Sequence, residues 1–145
     1  MNWKYEAIDK LKQYEAKKQA IMSIPEEIRR LELAMEGIRS ATGDGTPVQG
    51  GGSGREDMYL SNIVRREELE RSLEQAKKWI AFVEAGFSVI CLEDQKVLDR
   101  FYVHPAKGNV DRLCEELGCE KATVYRKREA ALRNFTISLY GCTEI

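Results

Sequence analysis

Residues 109–135 decide the fold, and they read NVDRLCEELGCEKATVYRKREAALRNF. A first helix is predicted to begin near Asn109 and to end at Gly118, because asparagine often caps a helix and glycine tolerates the left-handed conformation that closes one. The apolar residues of this helix share one side: Val110, Leu113, Cys114 and Leu117. A second helix begins only a few residues later. Two short helices joined by a tight glycine-containing turn are typical of a helix-turn-helix unit, which is therefore predicted here.

The second helix of this unit has an apolar side and a basic side. At about 100° per residue, Val124, Ala131 and Phe135 fall on one face. The residues opposite or beside that face are mostly polar: Ala122, Thr123, Tyr125, Arg126, Glu129 and Arg133. Residues 109–120 carry a net charge of −3, whereas residues 121–133 carry +4. A charge run alone is usually a solvated surface, but next to this turn it favours DNA binding, because the second helix of such a unit enters the major groove.

Upstream, residues 3–22 and 24–41 predict two helices, since both are rich in Ala, Leu, Glu, Lys and Arg. Ser23 and Glu26 stand at capping-box spacing around Pro25, which places a helix N-terminus there. Apolar residues recur at spacings of three and four in the second of these helices: Ile28, Leu31, Met35 and Ile38. This stripe needs a partner, and the two helices are candidates for a hairpin.

Residues 42–54 contain six glycines and one proline, which predicts a flexible linker. The segment lacks the Gly-Lys-Ser/Thr ending of a phosphate-binding loop.

The longest predicted helix covers residues 61–84. Apolar residues line one seam along it, and they are Leu69, Leu73, Ala76, Ile80, Val83 and then Phe87. The seam predicts coiled-coil or bundle packing, either against residues 3–38 or against a second chain.

Gly86 is predicted to break that helix, and a short helix over residues 93–102 follows it. The predicted fold class is therefore all-α, with an N-terminal helical hairpin or long helix and a C-terminal helix-turn-helix domain. Residues 1–85 form the predicted oligomerisation region, and residues 87–140 form the predicted DNA-binding domain.

The composition limits the alternatives. A chain of 145 residues with 32% charged side chains and a net charge of −1 has room for one ordinary domain with a helical appendage, and any positive surface on it must be local. No apolar run is long enough for a membrane span and the N-terminus has no signal-peptide pattern, so a cytoplasmic protein without a membrane partner is expected.

Metal, cofactor and enzyme chemistry have little support in the sequence. The four cysteines form no Cys-x-x-Cys pair and the chain has a single histidine, so no metal and no cofactor are expected. Cys91, Cys114 and Cys119 are expected to be reduced thiols in the core, because they lie among apolar residues. No residues stand at a catalytic spacing, so an enzyme is not expected.

Residues 92–139, a third of the chain, resemble region four of bacterial primary sigma factors and the phage-encoded late-gene regulators that share its fold, of the ArpU/RinA type. The matching elements are Val97-Leu98 and Phe101-Tyr102, then Leu113 to Gly118, Cys119, Val124 and the closing ALRNF at 131–135. The sequence departs from the family pattern at Glu120, where a Ser or Thr cap is common, and at Lys127 and Arg128, where an apolar and an acidic residue are usual. The long charged N-terminal part resembles the phage regulators more than a complete sigma factor.

The resemblance and the helix geometry together predict a sequence-specific transcriptional regulator of phage or prophage genes. The residues expected to reach base edges are Lys121, Ala122, Thr123, Tyr125 and Arg126, with Arg126 the best candidate for a bidentate guanine contact. Lys107, Lys127 and Arg133 are expected to hold phosphates. Double-stranded DNA is the expected partner, RNA polymerase is a further candidate, and a homodimer is the expected oligomer.

Two other functions remain open from the sequence. A small terminase subunit of a phage DNA-packaging machine also joins a helix-turn-helix to oligomerising helices. A protein-binding adaptor would use the basic helix to dock on RNA polymerase or on another acidic partner.

Overall fold

The structure, a computed structural model, describes residues 2–42 and 52–144. They form five α-helices and one π-helical turn, with no strand among the described residues: α1 (Trp3–Thr42), α2 (Gly52–Val89), α3 (Leu92–Leu98), the π-helical turn (Asp99–Val103), α4 (Asn109–Leu117) and α5 (Lys121–Tyr140). The predicted all-α class is confirmed.

The described helices belong to two compact units. The hairpin unit is Lys18–Lys77, and the five-helix unit is Met1–Lys17 with Lys78–Ile145. The predicted domains 1–85 and 87–140 stay a prediction. The first residues of α1 and the last residues of α2 belong with the C-terminal helices, because Ala7, Leu11 and Val83 are buried in the same core as α5.

In the hairpin unit, α1 packs along α2. The Asn62 Nδ2 atom donates a hydrogen bond to the Leu31 carbonyl oxygen at 2.8 Å, and its Oδ1 accepts one from Arg66 Nε at 2.9 Å. Met35 is buried and Ile28 and Leu31 are half-buried, as the apolar stripe predicts. The side chain of Ile38, the last member of the stripe, lies outside the described residues.

The seam predicted on α2 is the buried side of that helix. Ala76, Ile80 and Val83 are buried, while Leu69, Leu73 and Phe87 are half-buried. Along the part of α2 that α1 contacts, the seam is therefore covered by α1 of the same chain.

The structure corrects the predicted break near Ser23. α1 continues through Pro25, and the Ser23 hydroxyl donates to the Ala20 carbonyl oxygen at 3.5 Å instead of capping a new helix. A proline inside a helix costs about 3 kcal/mol, so packing must outweigh it. Contacts with α2 occur on both sides of Pro25: the Lys17 ammonium lies 5.8 Å from the centre of the Trp79 ring, and Leu31 accepts from Asn62.

The predicted linker 42–54 is shorter at both ends, because Thr42 belongs to α1 and α2 begins at Gly52. Residues 43–51 lie outside the described residues. α2 is also longer than the predicted helix over residues 61–84.

The predicted break at Gly86 is wrong, since α2 continues to Val89 with Gly86 buried inside it. A glycine stands there because α5 approaches closely. The Ser138 hydroxyl donates to the Gly86 carbonyl oxygen at 2.8 Å, and a Cβ atom at position 86 would overlap the Leu139 side chain.

The core of the five-helix unit surrounds α5. Its fully buried side chains include Val97 and Leu98 from α3, Leu113 from α4, and Val124 and Phe135 from α5. Phe87 meets Phe135 edge to face, with ring centres 6.1 Å apart. None of the helices among residues 2–42 and 52–144 combines the length and apolar character that a bilayer span requires.

Gly86→Ala is expected to lower the free energy of unfolding by about 1–2 kcal/mol, because overpacking against Leu139 costs about 1–3 kcal/mol and exceeds the gain of about 0.5–1 kcal/mol from replacing a glycine inside a helix. Gly37→Ala is the matched control. Position 37 lies in α1 with no atom within 4 Å of a built Cβ, so alanine should raise stability by about 0.5–1 kcal/mol. Urea unfolding followed by circular dichroism measures both. A Gly86→Ala variant as stable as the wild type would contradict the close approach of α2 and α5.

Candidate nucleic-acid interface

The turn between α4 and α5 follows the predicted geometry. Gly118 is left-handed, with φ 64° and ψ 39°, which confirms its predicted role in ending the first helix. The Cys119 N–H donates to the Cys114 carbonyl oxygen at 3.1 Å and closes the end of α4. Glu120 is extended and precedes α5, but its side chain makes no capping hydrogen bond. Only three residues therefore separate the two helices, and α5 starts at Lys121.

The start of α4 differs from the prediction that Asn109 is its cap. The capping position belongs to Gly108, which is left-handed with φ 82°. Asn109 is instead buried, and its Nδ2 atom donates to the Arg100 carbonyl oxygen at 2.5 Å and to the His104 carbonyl oxygen at 3.4 Å. The asparagine satisfies carbonyl groups at and after the π-helical turn and so anchors α4 to it.

The two sides of α5 are sharply different. Val124, Ala131 and Phe135 are 0% exposed, as the sequence predicts. The opposite side is open, and we call its exposed residues the basic ridge: Ala122, Arg126, Ala130 and Arg133. Among residues 2–42 and 52–144, neither Arg126 nor Arg133 has an ion-pair partner. Both guanidinium groups are thus available to an anion.

Two predicted contact residues are held by carboxylates. The Lys121 Nζ atom lies 3.4 Å from Asp111 Oδ1, with both side chains about 70% exposed. Such a surface pair contributes about 0–1 kcal/mol and is screened by salt, so a phosphate can compete for Lys121. Lys127 Nζ lies 2.9 Å from Glu93 Oε1, and this pairing raises the pKa of Lys127. Lys127 therefore braces α5 against α3.

The single carboxylate among residues 121–133 is also engaged. Glu129 pairs with Lys4 from the start of α1, and this interaction lowers the pKa of Glu129. Arg128 Nη2 lies 3.4 Å from the same carboxylate. Since Glu129 is balanced by these two cations, it does not offset the charge of Arg126 and Arg133.

The remaining predicted contact residues are spread around the start of α5. Tyr125 is 43% exposed, Ala122 is exposed and Thr123 is half-buried. Lys107 is exposed in the turn before α4 and has no ion-pair partner within the described part of the chain. Lys121 and Tyr125 line an open depression together with Asp111 and the turn at residues 105–108. The structure thus brings together the beginnings of α4 and α5, whereas Arg133 lies further along the ridge.

Polar contacts with α3 and with the π-helical turn hold the end of α4 in place. Glu116 of α4 lies 3.3 Å from Lys96 Nζ and accepts from Arg100 Nη2 at 3.0 Å, and these cations lower the pKa of Glu116.

The helix widens at the π-helical turn, because the His104 N–H donates to the Asp99 carbonyl oxygen at 2.7 Å, five residues earlier. The sequence predicts one α-helix over residues 93–102, since apolar spacing does not distinguish a π-helical turn from an α-helical one.

Two local roles were not anticipated from the sequence. Cys91 is exposed and is not a core thiol, since its sulfur accepts from the Asp94 N–H at 3.5 Å and caps α3. Cys114 and Cys119 are half-buried, so they are only partly in the core. Arg128 contributes to the charge of +4 on residues 121–133, but its guanidinium lies over the rings of Phe101 and Tyr125. The contact of Arg128 with Phe101 joins α5 to the π-helical turn, and helical spacing does not reveal such a tertiary contact.

Comparison with known proteins gives one result. A family model described as a protein of unknown function, DUF1492, matches residues 38–136, which include α2, α3, α4 and most of α5. No curated protein and no solved structure matches the chain.

His104 supplies a pH-dependent contact beside this interface. Its Nδ1 atom lies 2.8 Å from Asp99 Oδ1 and its Nε2 atom 3.1 Å from Glu15 Oε1 of α1. The hydrogen bond with Asp99, followed by the charges of Asp99 and Glu15, raises the pKa of His104. Because the folded pKa is raised, the stabilisation is complete below the ordinary histidine value of about 6.5 and is lost as pH rises through the folded value.

The melting temperatures of the wild type and of His104→Gln should therefore differ more at pH 6 than at pH 8.5. The comparison between the two proteins at each pH cancels the titration of all other groups. Differential scanning calorimetry measures both values. An equal difference at the two pH values would show that protonated His104 does not join α1 to the π-helical turn.

Proposed function

The chain belongs to the DUF1492 family, and we propose that it is a sequence-specific DNA-binding transcriptional regulator of phage or prophage genes. In this proposal α4 and α5 form the DNA-reading unit, and α5 enters the major groove.

The observation that carries the proposal is the basic ridge on α5. A nearly neutral chain with a net charge of −1 leaves Arg126 and Arg133 without acidic partners among the described residues, on the open side of one helix. The opposite side of that helix is buried, so the two arginines cannot turn inward. A local concentration of unpaired cations on a helix that follows a tight turn is what a groove-binding helix requires.

Position along α5 separates the proposed roles. Arg126 lies in the second turn of the helix, close to Lys121, Ala122, Thr123 and Tyr125, and would form a bidentate contact with a guanine. Arg133 lies two turns further on and would contact a phosphate, as would Lys107 before α4. Lys127 is assigned a bracing role here because its ammonium is engaged by Glu93.

The phage setting rests on the resemblance of residues 92–139 to late-gene regulators with a sigma-region-four-like unit. RNA polymerase is a proposed further partner for the same reason, and a cytoplasmic location follows from DNA as the target.

Arg126→Ala is expected to weaken binding to the preferred duplex by about 1–3 kcal/mol, with a smaller loss on a scrambled duplex, because a bidentate base contact distinguishes sequences. Arg133→Ala should weaken binding to both duplexes alike and lower the salt slope by roughly one unit, as loss of a phosphate contact does. Selection from a random pool supplies the preferred duplex, and fluorescence anisotropy across a salt series measures the affinities.

Arg71→Ala is the control of matched charge, since Arg71 is exposed on α2 in the hairpin unit, and it should leave both affinities unchanged. Two results would contradict the proposal: a pool without an enriched sequence, or Arg126→Ala behaving like Arg71→Ala. A protein that binds no DNA at low salt would favour the adaptor function. A ring of many subunits that binds DNA would favour the small terminase.

The regulator is further proposed to be a homodimer that associates through the hairpin unit. Three neighbouring apolar side chains on α2 are exposed there: Leu60, Ile63 and Val64. Exposed apolar residues that lie together on one helix are typical of contact surfaces. In light scattering at micromolar concentration, the intact chain should have twice its monomer mass of 16.6 kDa.

The double variant Leu60→Glu with Val64→Glu should have the monomer mass, because burying two carboxylates is unfavourable, and should retain its helix content. Leu92→Glu provides a control, since Leu92 is 80% exposed in the other unit, and should remain dimeric. A monomeric wild type would contradict the proposed dimer.

A further inference from the structure

The Arg128 guanidinium lies over two aromatic side chains that also contact each other. Its Cζ atom lies 5.2 Å from the centre of the Phe101 ring and 5.1 Å from the centre of the Tyr125 ring. The two rings are themselves 6.1 Å apart and inclined by 52°. Phe101 comes from the π-helical turn, whereas Arg128 and Tyr125 come from α5. We call these three side chains the aromatic clamp.

The environment of Arg128 is poor in hydrogen-bond acceptors. Its Nε atom is buried without a hydrogen-bond partner, and its Nη2 atom reaches Glu129 Oε1 only at 3.4 Å. An unsatisfied buried donor is uncommon and unfavourable, so another interaction must favour this position. A planar guanidinium over aromatic faces supplies it, through charge and through stacking. The side chain of Arg128 thus differs from those of Arg126 and Arg133, which extend from the ridge without ion-pair partners among the described residues.

The clamp contains an exposed aromatic side chain that borders the proposed DNA surface, Tyr125. Tyr125 precedes Arg126 and is 43% exposed, and it lines the open depression with Lys121 and Asp111. An exposed tyrosine ordinarily exchanges between rotamers, which weakens any contact that depends on its orientation. With Phe101 and Arg128 against its ring, Tyr125 is held in one orientation before a partner binds.

We propose that Arg128 is a positioning residue for sequence recognition: through the Phe101–Arg128–Tyr125 clamp it preorganises Tyr125 for a base contact and does not itself bind a phosphate. This inference rests on the proposed DNA-binding function. The structure distinguishes it from simple charge attraction, because the Nε atom of Arg128 is buried and its Nη2 atom lies 3.4 Å from Glu129 Oε1, so fewer of its donors are open to a phosphate than those of Arg126 and Arg133.

The first measurement needs no DNA. The protein is labelled with 3-fluorotyrosine, and the Tyr125 signal among those of the six tyrosines is assigned with Tyr125→Phe. In Arg128→Met, the Tyr125 fluorine signal should move toward the position of an unstacked tyrosine. Arg133→Met is the matched control, since it makes the same replacement at an exposed arginine of the same helix, and it should leave that signal in place.

The second measurement is anisotropy with the selected and scrambled duplexes across a salt series. Arg128→Met should reduce the ratio of the two affinities by about fivefold or more, which corresponds to part of one base contact, without changing the salt slope. Arg133→Met should lower the salt slope by roughly one unit instead. Arg128→Lys should recover part of the lost discrimination, because an ammonium keeps the attraction to the rings but lacks the flat face. If Arg128→Met proves unfolded in circular dichroism, Arg128→Lys carries the comparison in both measurements.

An unmoved Tyr125 signal in Arg128→Met would overturn the positioning role, and so would a salt slope that falls as it does in Arg133→Met. A wild type that binds no duplex contradicts the proposed function itself. Normal wild-type binding with equal losses on both duplexes in Arg128→Met contradicts only the role of Arg128.

Discussion

Burial of one side of α5 is the constraint on which the rest of the five-helix unit depends. Val124, Ala131 and Phe135 are fully enclosed by residues from α3, α4 and the ends of α1 and α2. Truncation of a buried phenylalanine costs about 3–5 kcal/mol, a large part of the roughly 5–15 kcal/mol that stabilises a domain. Rotation of α5 about its axis is therefore prohibited, and the opposite side of the helix keeps a fixed direction. The orientation of Arg126 and Arg133 follows from the core, since neither has an ion pair with another described residue to hold it.

Electrostatic contacts then determine which cations stay available. Lys4 engages Glu129, while Glu93 engages Lys127 and Asp111 weakly engages Lys121. Glu129, the one carboxylate of α5, is thus balanced by Lys4 of α1, and the basic ridge retains its positive charge. The Arg128 guanidinium lies over the rings of Phe101 and Tyr125. The five cations of residues 121–133 therefore fall into three kinds. Arg126 and Arg133 have no ion pair among the described residues, Lys121 and Lys127 are paired with carboxylates, and Arg128 lies over aromatic rings.

Local rules predicted the helix-turn-helix well. Gly118 ends α4 because only a glycine readily takes its left-handed conformation, and the period of Val124, Ala131 and Phe135 identifies the buried side of α5. The seam on α2 was predictable for the same reason. These features depend on residues within a few turns of one another, so they can be found from spacing alone.

The failures share one cause, since each depends on a distant part of the chain. Pro25 and Gly86 are usually helix breakers, but packing of α1 on α2 and of α5 on α2 keeps both helices continuous. Asn109 was expected to cap α4, yet the carbonyl groups around the π-helical turn engage its side chain. The ends of α1 and α2 complete the core around α5, which spacing within a single helix does not reveal. The identity of any DNA sequence that is recognised depends on a partner and cannot be read from the chain.

The central claim is that the beginnings of α4 and α5, with the basic ridge, form the DNA-binding surface. The most direct test is a titration of the 15N-labelled intact protein with a selected duplex, followed by backbone amide chemical shifts in NMR. We expect the largest changes at residues 107–112 and 120–133, with little change in the hairpin unit. Changes concentrated in residues 18–37 and 54–77, or no change at a duplex excess in low salt, would contradict the claim.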